Sequence, residues 1–118
     1  MSDYDMKTAE AMLLTGRYLY VGFMCHQSIE KILKAYWTKV SNETPPFTHS
    51  LSKLAGKTGL SDEFTEEHNK IIDILEPLNI EARYPSYKER LMKSLTSERC
   101  TQIINQTNEL RLWIKRKL

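Results

Sequence analysis

The run Arg83-Tyr84-Pro85 has the clearest chemical potential of any segment in this sequence. An arginine guanidinium can bind two oxygens of one phosphate group, and a neighbouring tyrosine ring can stack on a nucleic-acid base. Pro85 disfavours the helical conformation for Tyr84, which fixes the direction of both side chains. The run therefore indicates a contact with a phosphate and a base. The alternative is structural, because Arg83 is also close enough in sequence to pair with Glu81 or Glu76.

Three histidines are the other candidates for chemistry, and their sequence contexts differ. His26 and His68 lie among apolar residues at helical spacing, which is typical of histidines in a core. His49 follows Thr48 where a short helix is predicted to begin, so local capping, loop packing and ligand contact all stay open. The histidines and carboxylates form no set with the spacing of metal ligands. We therefore predict no metal site and no cofactor.

The composition is that of an ordinary globular chain. Hydrophobic residues make up 41% of the 118 residues and charged residues 27%, which suits one domain with one core. A net charge of +2 is too small to indicate nucleic-acid binding by itself. The polar N-terminus and the lack of a long apolar run argue against a signal peptide and a membrane helix. We predict a single cytoplasmic domain over residues 1–118, with no membrane partner.

The strongest helical pattern in the sequence runs from about Arg17 to Val40. Apolar residues recur there at steps of three and four, and they cover a wide part of the helix surface. So wide a surface predicts a central helix that packs against several neighbours. The predicted core-facing residues are Leu19, Gly22, Phe23, His26, Ile29, Leu33, Tyr36 and Val40, widened by Cys25, Ile32 and Trp37.

Four further helices are predicted from capping residues and from glycine and proline breakers. Together the five helices, joined by short loops, predict an all-α, up-and-down bundle. In chain order, the first of the four runs from Ser2 or Asp3 to Leu14 and stops at Gly16, and a short second one follows the Pro45-Pro46 loop, with a Thr48 cap, a start at His49 or Ser50 and an end at Lys57. The third begins at a Ser61 cap and ends near Pro77, and the fourth runs from Thr96 or Ser97 to the end of the sequence.

Three motifs in this order resemble the HEPN family. They span residues 9–85 together with the elements around them, and each is weak when taken alone. The motifs are Tyr18-x4-Phe23-x2-His26-Gln27-x2-Glu30-Lys31-x2-Lys34-Ala35, which resembles the family's second helix; Thr48-His49-Ser50-Leu51, which resembles its H-x-L start of a short helix; and Ile80-Glu81-Ala82-Arg83-Tyr84-Pro85, which is similar to the ARYP segment of a prokaryotic branch.

The resemblance implies a four- or five-helix bundle that pairs into a dimer, with a groove lined by both protomers. Many members of the family bind nucleotides, and many others are metal-independent ribonucleases that use an Arg-x4–6-His motif. Bacterial members often act beside a small nucleotidyltransferase in toxin–antitoxin pairs. These properties come from the resemblance and not from the periodicity of the sequence.

The sequence departs from the family at the ribonuclease motif. A motif that began at Arg83 would need histidine at position 88, 89 or 90, where the sequence has Lys88, Glu89 and Arg90. No arginine lies five to seven residues before any of the three histidines. RNA cleavage of this kind needs a base for the 2′-hydroxyl proton, and a protonated lysine is a poor base. We therefore predict no catalytic residue.

The polar strip of the second predicted helix has two interpretations. It is either a solvated helix edge with an ion pair between Glu30 and Lys34, or, as the resemblance implies, part of the dimer groove with its lysines facing a phosphate. Both interpretations are kept at this point, because a strip of four polar residues in an apolar helix fits either one.

We predict a non-catalytic HEPN-type module that binds a nucleotide or RNA and acts as a homodimer. One alternative is a toxin–antitoxin component that interacts with a small nucleotidyltransferase. Another is a metal-independent ribonuclease with displaced catalytic residues, such as His49 acting with Arg83 across the dimer. The sequence names neither the ligand nor the partner. The candidate ligand-binding residues are Arg83, Tyr84, Lys31, Lys34, Gln27, Glu30, His49, Tyr87 and Lys88.

Overall fold

Five α-helices and two short 3-10 turns form the part of the chain that the computed structural model describes, which is residues 2–79 and 95–118. This part contains no strand, and the prediction of an all-α bundle is confirmed. The helices are α1 (Ser2–Leu14), α2 (Tyr18–Ser41), α3 (Leu51–Lys57), α4 (Glu66–Leu75) and α5 (Ser97–Lys115), and the 3-10 turns are Leu60–Glu63 and Glu76–Asn79.

Helix α2 is the centre of the bundle, as its wide apolar surface predicts. It packs most extensively against α1 and α5, and also against α3, α4 and the second 3-10 turn. Its core residues, among them Val21, Cys25 and Ile29, are fully buried. The prediction for Val40 is wrong, since this side chain is 50% exposed. It lies in the last turn of α2, beyond the reach of the neighbouring helices that cover the middle.

Gly22 lets the second 3-10 turn approach α2 closely. A Cβ atom at this position would lie 2.7 Å from Leu78 Cδ1, so any larger residue would force the Leu78 side chain to move. Leu78 is itself buried in the core. The turn that leads towards the Arg83 segment is therefore seated directly on the central helix.

The predicted caps of two helices are wrong by a few residues. Ser50, and not Thr48, caps α3: its hydroxyl accepts a hydrogen bond from the Lys53 backbone N–H. Ser61 lies within the first 3-10 turn, and Thr65 is the residue that caps α4. Both errors have the same reason. Serine and threonine are both good capping residues, and several of them occur near each of these helix starts, so the sequence does not single out one as the cap.

Helix α5 follows its prediction closely. Thr96 caps it, and its inner residues Ile103, Thr107, Leu110 and Ile114 are all buried. Within the described ranges, no helix has the length and apolar character needed to cross a membrane.

Candidate ligand-binding site

Glu30 is the centre of a cluster of charged side chains on α2. Its Oε2 atom lies 3.0 Å from Lys34 Nζ, and its Oε1 atom lies 3.0 Å from His49 Nδ1 and 3.7 Å from His26 Nδ1. Only 7% of the residue is exposed. The predicted ion pair with Lys34 is present, but the interpretation of this strip as a solvated helix edge is wrong for Glu30.

The charge of Glu30 is maintained by its partners. Burial by itself would raise the pKa of this carboxyl, but the hydrogen bonds and positive charges of Lys34 and His49 outweigh it, so the pKa is lowered. Glu30 is therefore ionised at neutral pH. A buried carboxylate with two basic partners is a rigid anchor for both of them.

His49 is held by this carboxylate across the loop between α2 and α3. Its Nδ1 atom faces Glu30, its Nε2 atom has no hydrogen-bond partner among the described residues, and the side chain is 51% exposed. Of the roles left open for His49, capping of α3 is excluded, because Ser50 caps this helix. The contact was not visible in the sequence, because the two residues are 19 positions apart.

His26 lies on the other side of Glu30 and is fully buried, as predicted for a core histidine. Burial lowers its pKa, although the negative charges of Glu30 and Glu76 act in the opposite direction. The ring is therefore neutral at pH 7. It supports the carboxylate from the core side and is closed to any ligand.

Lys31 and Lys34 both line a shallow cavity of about 450 Å³ between α2 and the loop that follows it, together with Ala35, Thr38 and Pro45. Lys31 Nζ lies 2.9 Å from Asp5 Oδ2, and Asp5 is buried. Each lysine thus has one carboxylate partner. An ammonium group has three donors, so each lysine keeps donors for a ligand in the cavity.

Glu76 connects the second 3-10 turn to the start of α3. Its carboxylate accepts hydrogen bonds from the backbone N–H of Leu51 at 2.7 Å, from the backbone N–H of Ser52 at 3.0 Å and from the Ser52 hydroxyl at 2.6 Å. Both carboxylate oxygens therefore fix the start of α3, and no pattern in the sequence indicated this role. The bonds also place the end of α4 beside the loop that carries His49.

The other predicted residues fall into two groups. Gln27 lies next to His26 on α2 and is half-buried. Arg83, Tyr84, Tyr87 and Lys88 lie outside the described residues, so their predicted role stays a prediction. The structure thus brings together Glu30, Lys34 and His49 directly, with Lys31 on the wall of the same cavity.

The sequence comparisons give one match. The family model described as the HEPN domain matches residues 1–117. No curated protein and no solved structure matches the chain significantly. The match extends over all three motifs that resemble this family and over all five described helices. The chain therefore belongs to the HEPN domain family.

Proposed function

We propose that this protein is a non-catalytic, single-domain HEPN module that binds a nucleotide or RNA and acts as a homodimer. HEPN domains are known for RNA-related roles and often dimerise, which makes RNA the first ligand to test. In this proposal the site combines Gln27, Glu30, Lys31, Lys34 and His49. The segment with Arg83, Tyr84, Tyr87 and Lys88 contributes further contacts to the phosphate and base.

The observation that carries the proposal is the arrangement of basic groups around one cavity. Lys31 and Lys34 lie on its wall, and Lys34 shares the Glu30 carboxylate with His49. Two lysines with spare donors and an exposed imidazole nitrogen suit the oxygens of a phosphate group. Because Glu30 holds Lys34 and His49 in place, little side-chain freedom is lost when a ligand binds.

The non-catalytic part of the proposal is supported by the sequence and by the position of each histidine. The Arg-x4–6-His spacing is absent. His26 is fully buried, and the ring of His68 accepts a hydrogen bond from the Thr65 backbone at the start of α4. His26 is therefore closed to a substrate, His68 is half-buried and acts in the cap of α4, and His49 is the basis of the second candidate function below.

A thermal-shift titration tests the binding. ATP, GTP and a short single-stranded RNA are added to the wild type and to the Arg83→Ala and Lys31→Ala variants. A ligand that binds only the folded state stabilises it by about 2.7 kcal/mol at a hundredfold excess over the dissociation constant. We expect a shift in the wild type that both variants reduce. Lys70→Ala is the matched control, because Lys70 is an exposed lysine on α4 whose carboxylate partners among the described residues lie 3.6 and 3.9 Å away. No shift with any ligand contradicts the proposal.

One observation favours a second candidate, a metal-independent ribonuclease with displaced catalytic residues. A histidine whose Nδ1 faces a carboxylate and whose other nitrogen can face a substrate has the arrangement of an oriented general base. His49 with Glu30 has this arrangement, since its Nε2 has no partner in the part of the chain that the structure describes. The test incubates RNA with the protein in the presence of EDTA. Cleavage that His49→Ala abolishes would establish this function, and cleavage that survives in His49→Ala would exclude His49 as the base.

Dimerisation is tested by mass. Large apolar side chains stay exposed on α1 and at the start of α2, notably Tyr4, Leu14 and Tyr20. In the proposal a second copy covers part of this surface. Sedimentation velocity should give twice the chain mass of 13.8 kDa. A monomer at all concentrations would contradict the homodimer, and stable capture of a small nucleotidyltransferase by that monomer would favour the alternative partner.

A further inference from the structure

Phe47 is the most exposed large hydrophobic residue among those the structure describes, with 97% of its surface open to solvent. A phenylalanine ring gains free energy when it leaves water, so an uncovered ring on a folded surface is a candidate contact for a ligand or partner. Its position in the fold indicates which of these it is.

The loop that carries Phe47 is fixed on both sides of this residue. Pro45 and Pro46 restrict the backbone before it. After it, the Thr48 hydroxyl accepts a hydrogen bond from the Ser50 backbone N–H at 3.1 Å. His49 is then bound to the buried Glu30. The loop around Phe47 is therefore constrained by its prolines and by these hydrogen bonds, and it exposes the phenyl ring to solvent next to the cluster around Glu30.

Among the described residues, the ring that contacts Phe47 is that of His49, whose Glu30 partner also binds Lys34. The ring centroids of Phe47 and His49 are 6.0 Å apart, and the planes are inclined by 61°, so the contact uses an edge and leaves a face of the phenyl ring open. Pro45, two residues earlier, forms a wall of the cavity lined by Lys31 and Lys34. An open aromatic face beside cationic donors fits a ligand that has a flat apolar part joined to an anionic part.

We propose that Phe47 stacks on an unpaired base, while His49 and Lys34 contact the phosphate joined to that base. This inference rests on the proposed function and adds to it a residue and a ligand class. The ligand has an exposed base linked to a phosphate, which occurs in a free nucleotide and in single-stranded RNA. Base–aromatic stacking is tolerant of sequence, because every base has a π face. The site therefore prefers unpaired to paired nucleic acid and discriminates little between bases.

The test measures fluorescence anisotropy of a labelled single-stranded RNA and of the same strand in a duplex, with unlabelled ATP and inorganic tripolyphosphate as competitors. We expect Phe47→Ala to weaken single-strand binding by roughly tenfold, the scale of one stacked base. Phe47→Trp should restore it. Competition by tripolyphosphate, which has no base, should be equal in the wild type and in Phe47→Ala. ATP competition that weakens in Phe47→Ala would identify a free nucleotide as a sufficient ligand, whereas competition only by RNA would identify the strand.

The outcomes separate this inference from the proposed function. If the wild type binds RNA or nucleotide and Phe47→Ala binds equally well, the stacking role is wrong and the proposed function stands. If the wild type binds none of the probes, both are wrong. A change in the dimer mass of Phe47→Ala without a change in ligand affinity would assign Phe47 to a protein contact and would also overturn the inference. Because Phe47 is exposed, the melting temperature of its variants without ligand should equal that of the wild type, which shows that they fold.

Discussion

Two regions of this molecule place a phenylalanine and a histidine at the start of a helix, and they use the pair in opposite ways. Before α4, Phe64 packs against His68 and Trp113, with ring centroids 5.7 and 5.6 Å away. Before α3, Phe47 contacts only the ring of His49 among the described rings and is almost fully exposed. One pair is covered by α5, and the other faces solvent.

The two histidines differ in the same way. His68 completes a capping box with Thr65 and lies 4.7 Å from the Trp113 ring, so its interactions are local and structural. His49 is bound to Glu30 of α2, and within residues 2–79 and 95–118 its other ring nitrogen has no partner. Residue type and position at a helix start therefore do not separate a structural pair from a candidate site. The presence or absence of a covering side chain such as Trp113 separates them.

The largest expected difference between the regions comes from one substitution made in both. Phe64→Ala removes a ring packed against two others and should lower the free energy of unfolding by about 2 kcal/mol. Phe47→Ala removes an exposed ring and should change it by less than about 0.5 kcal/mol. Urea denaturation of both variants measures this. Equal losses would mean that Phe47 is covered in solution.

The open region depends on Glu30, and Glu30→Gln tests that dependence. The amide keeps the shape of the side chain but loses the charge-assisted hydrogen bonds to Lys34 and His49, which should cost about 1–2 kcal/mol of stability. Glu66→Gln is the matched control, since Glu66 is exposed and its partner Lys70 is 3.9 Å away. Similar stability of the two variants would show that the Glu30 cluster contributes nothing to folding.

Substitution of the caps compares the helix starts themselves. Thr65→Ala and Ser50→Ala should each cost about 1 kcal/mol, because each removes the acceptor for a backbone N–H in the first turn. Ser61→Ala should cost almost nothing, because Ser61 caps no α-helix. Thermal unfolding followed by circular dichroism provides the comparison, and a large effect of Ser61→Ala would restore the cap that was predicted from the sequence.

The smallest expected effect is a pH dependence of stability that originates at His26. Burial lowers its pKa in the folded state, so below the unfolded value of about 6.5 the unfolded chain binds a proton that the folded chain does not. Stability should therefore fall as the pH drops from 7.5 to 5.5. Glu30, Glu76 and a hydrogen bond with the His49 backbone raise the pKa of His26 and reduce the effect, while the charge of the His49 ring acts in the opposite direction and is the smallest contribution.

Chemical denaturation at pH 7.5 and at pH 5.5 measures how the free energy of unfolding changes with pH, and this slope should be smaller in His26→Gln. His68, whose pKa burial also lowers, contributes with the same sign, so part of the slope should remain in that variant. Glu30 has a lowered pKa and contributes stability only above the unfolded value of about 4.5, so it does not enter this window. An unchanged slope in His26→Gln would show that this histidine does not titrate differently on folding.

The sequence predicted the helices well where many residues repeat the same signal. The apolar residues recur over about six turns of α2 and about five turns of α5. A single exception such as Val40 therefore does not change the prediction of a helix. It predicted the caps poorly, because a cap is one residue and Thr48, Ser61 and their neighbours are equally suitable types. For the candidate site it indicated Glu30, Lys34 and His49 separately, but not that one carboxylate joins them.

The sequence by itself determined the helical class, the order of the elements and the absence of the Arg-x4–6-His spacing, because these depend on neighbours along the chain. Tertiary structure alone decided that Glu30 is buried and bound to His49, that Glu76 fixes the start of α3, and that Phe47 stays open while Phe64 is covered. Each of these depends on a contact between residues far apart in sequence. Burial and partner choice come from packing in space, which no local pattern encodes.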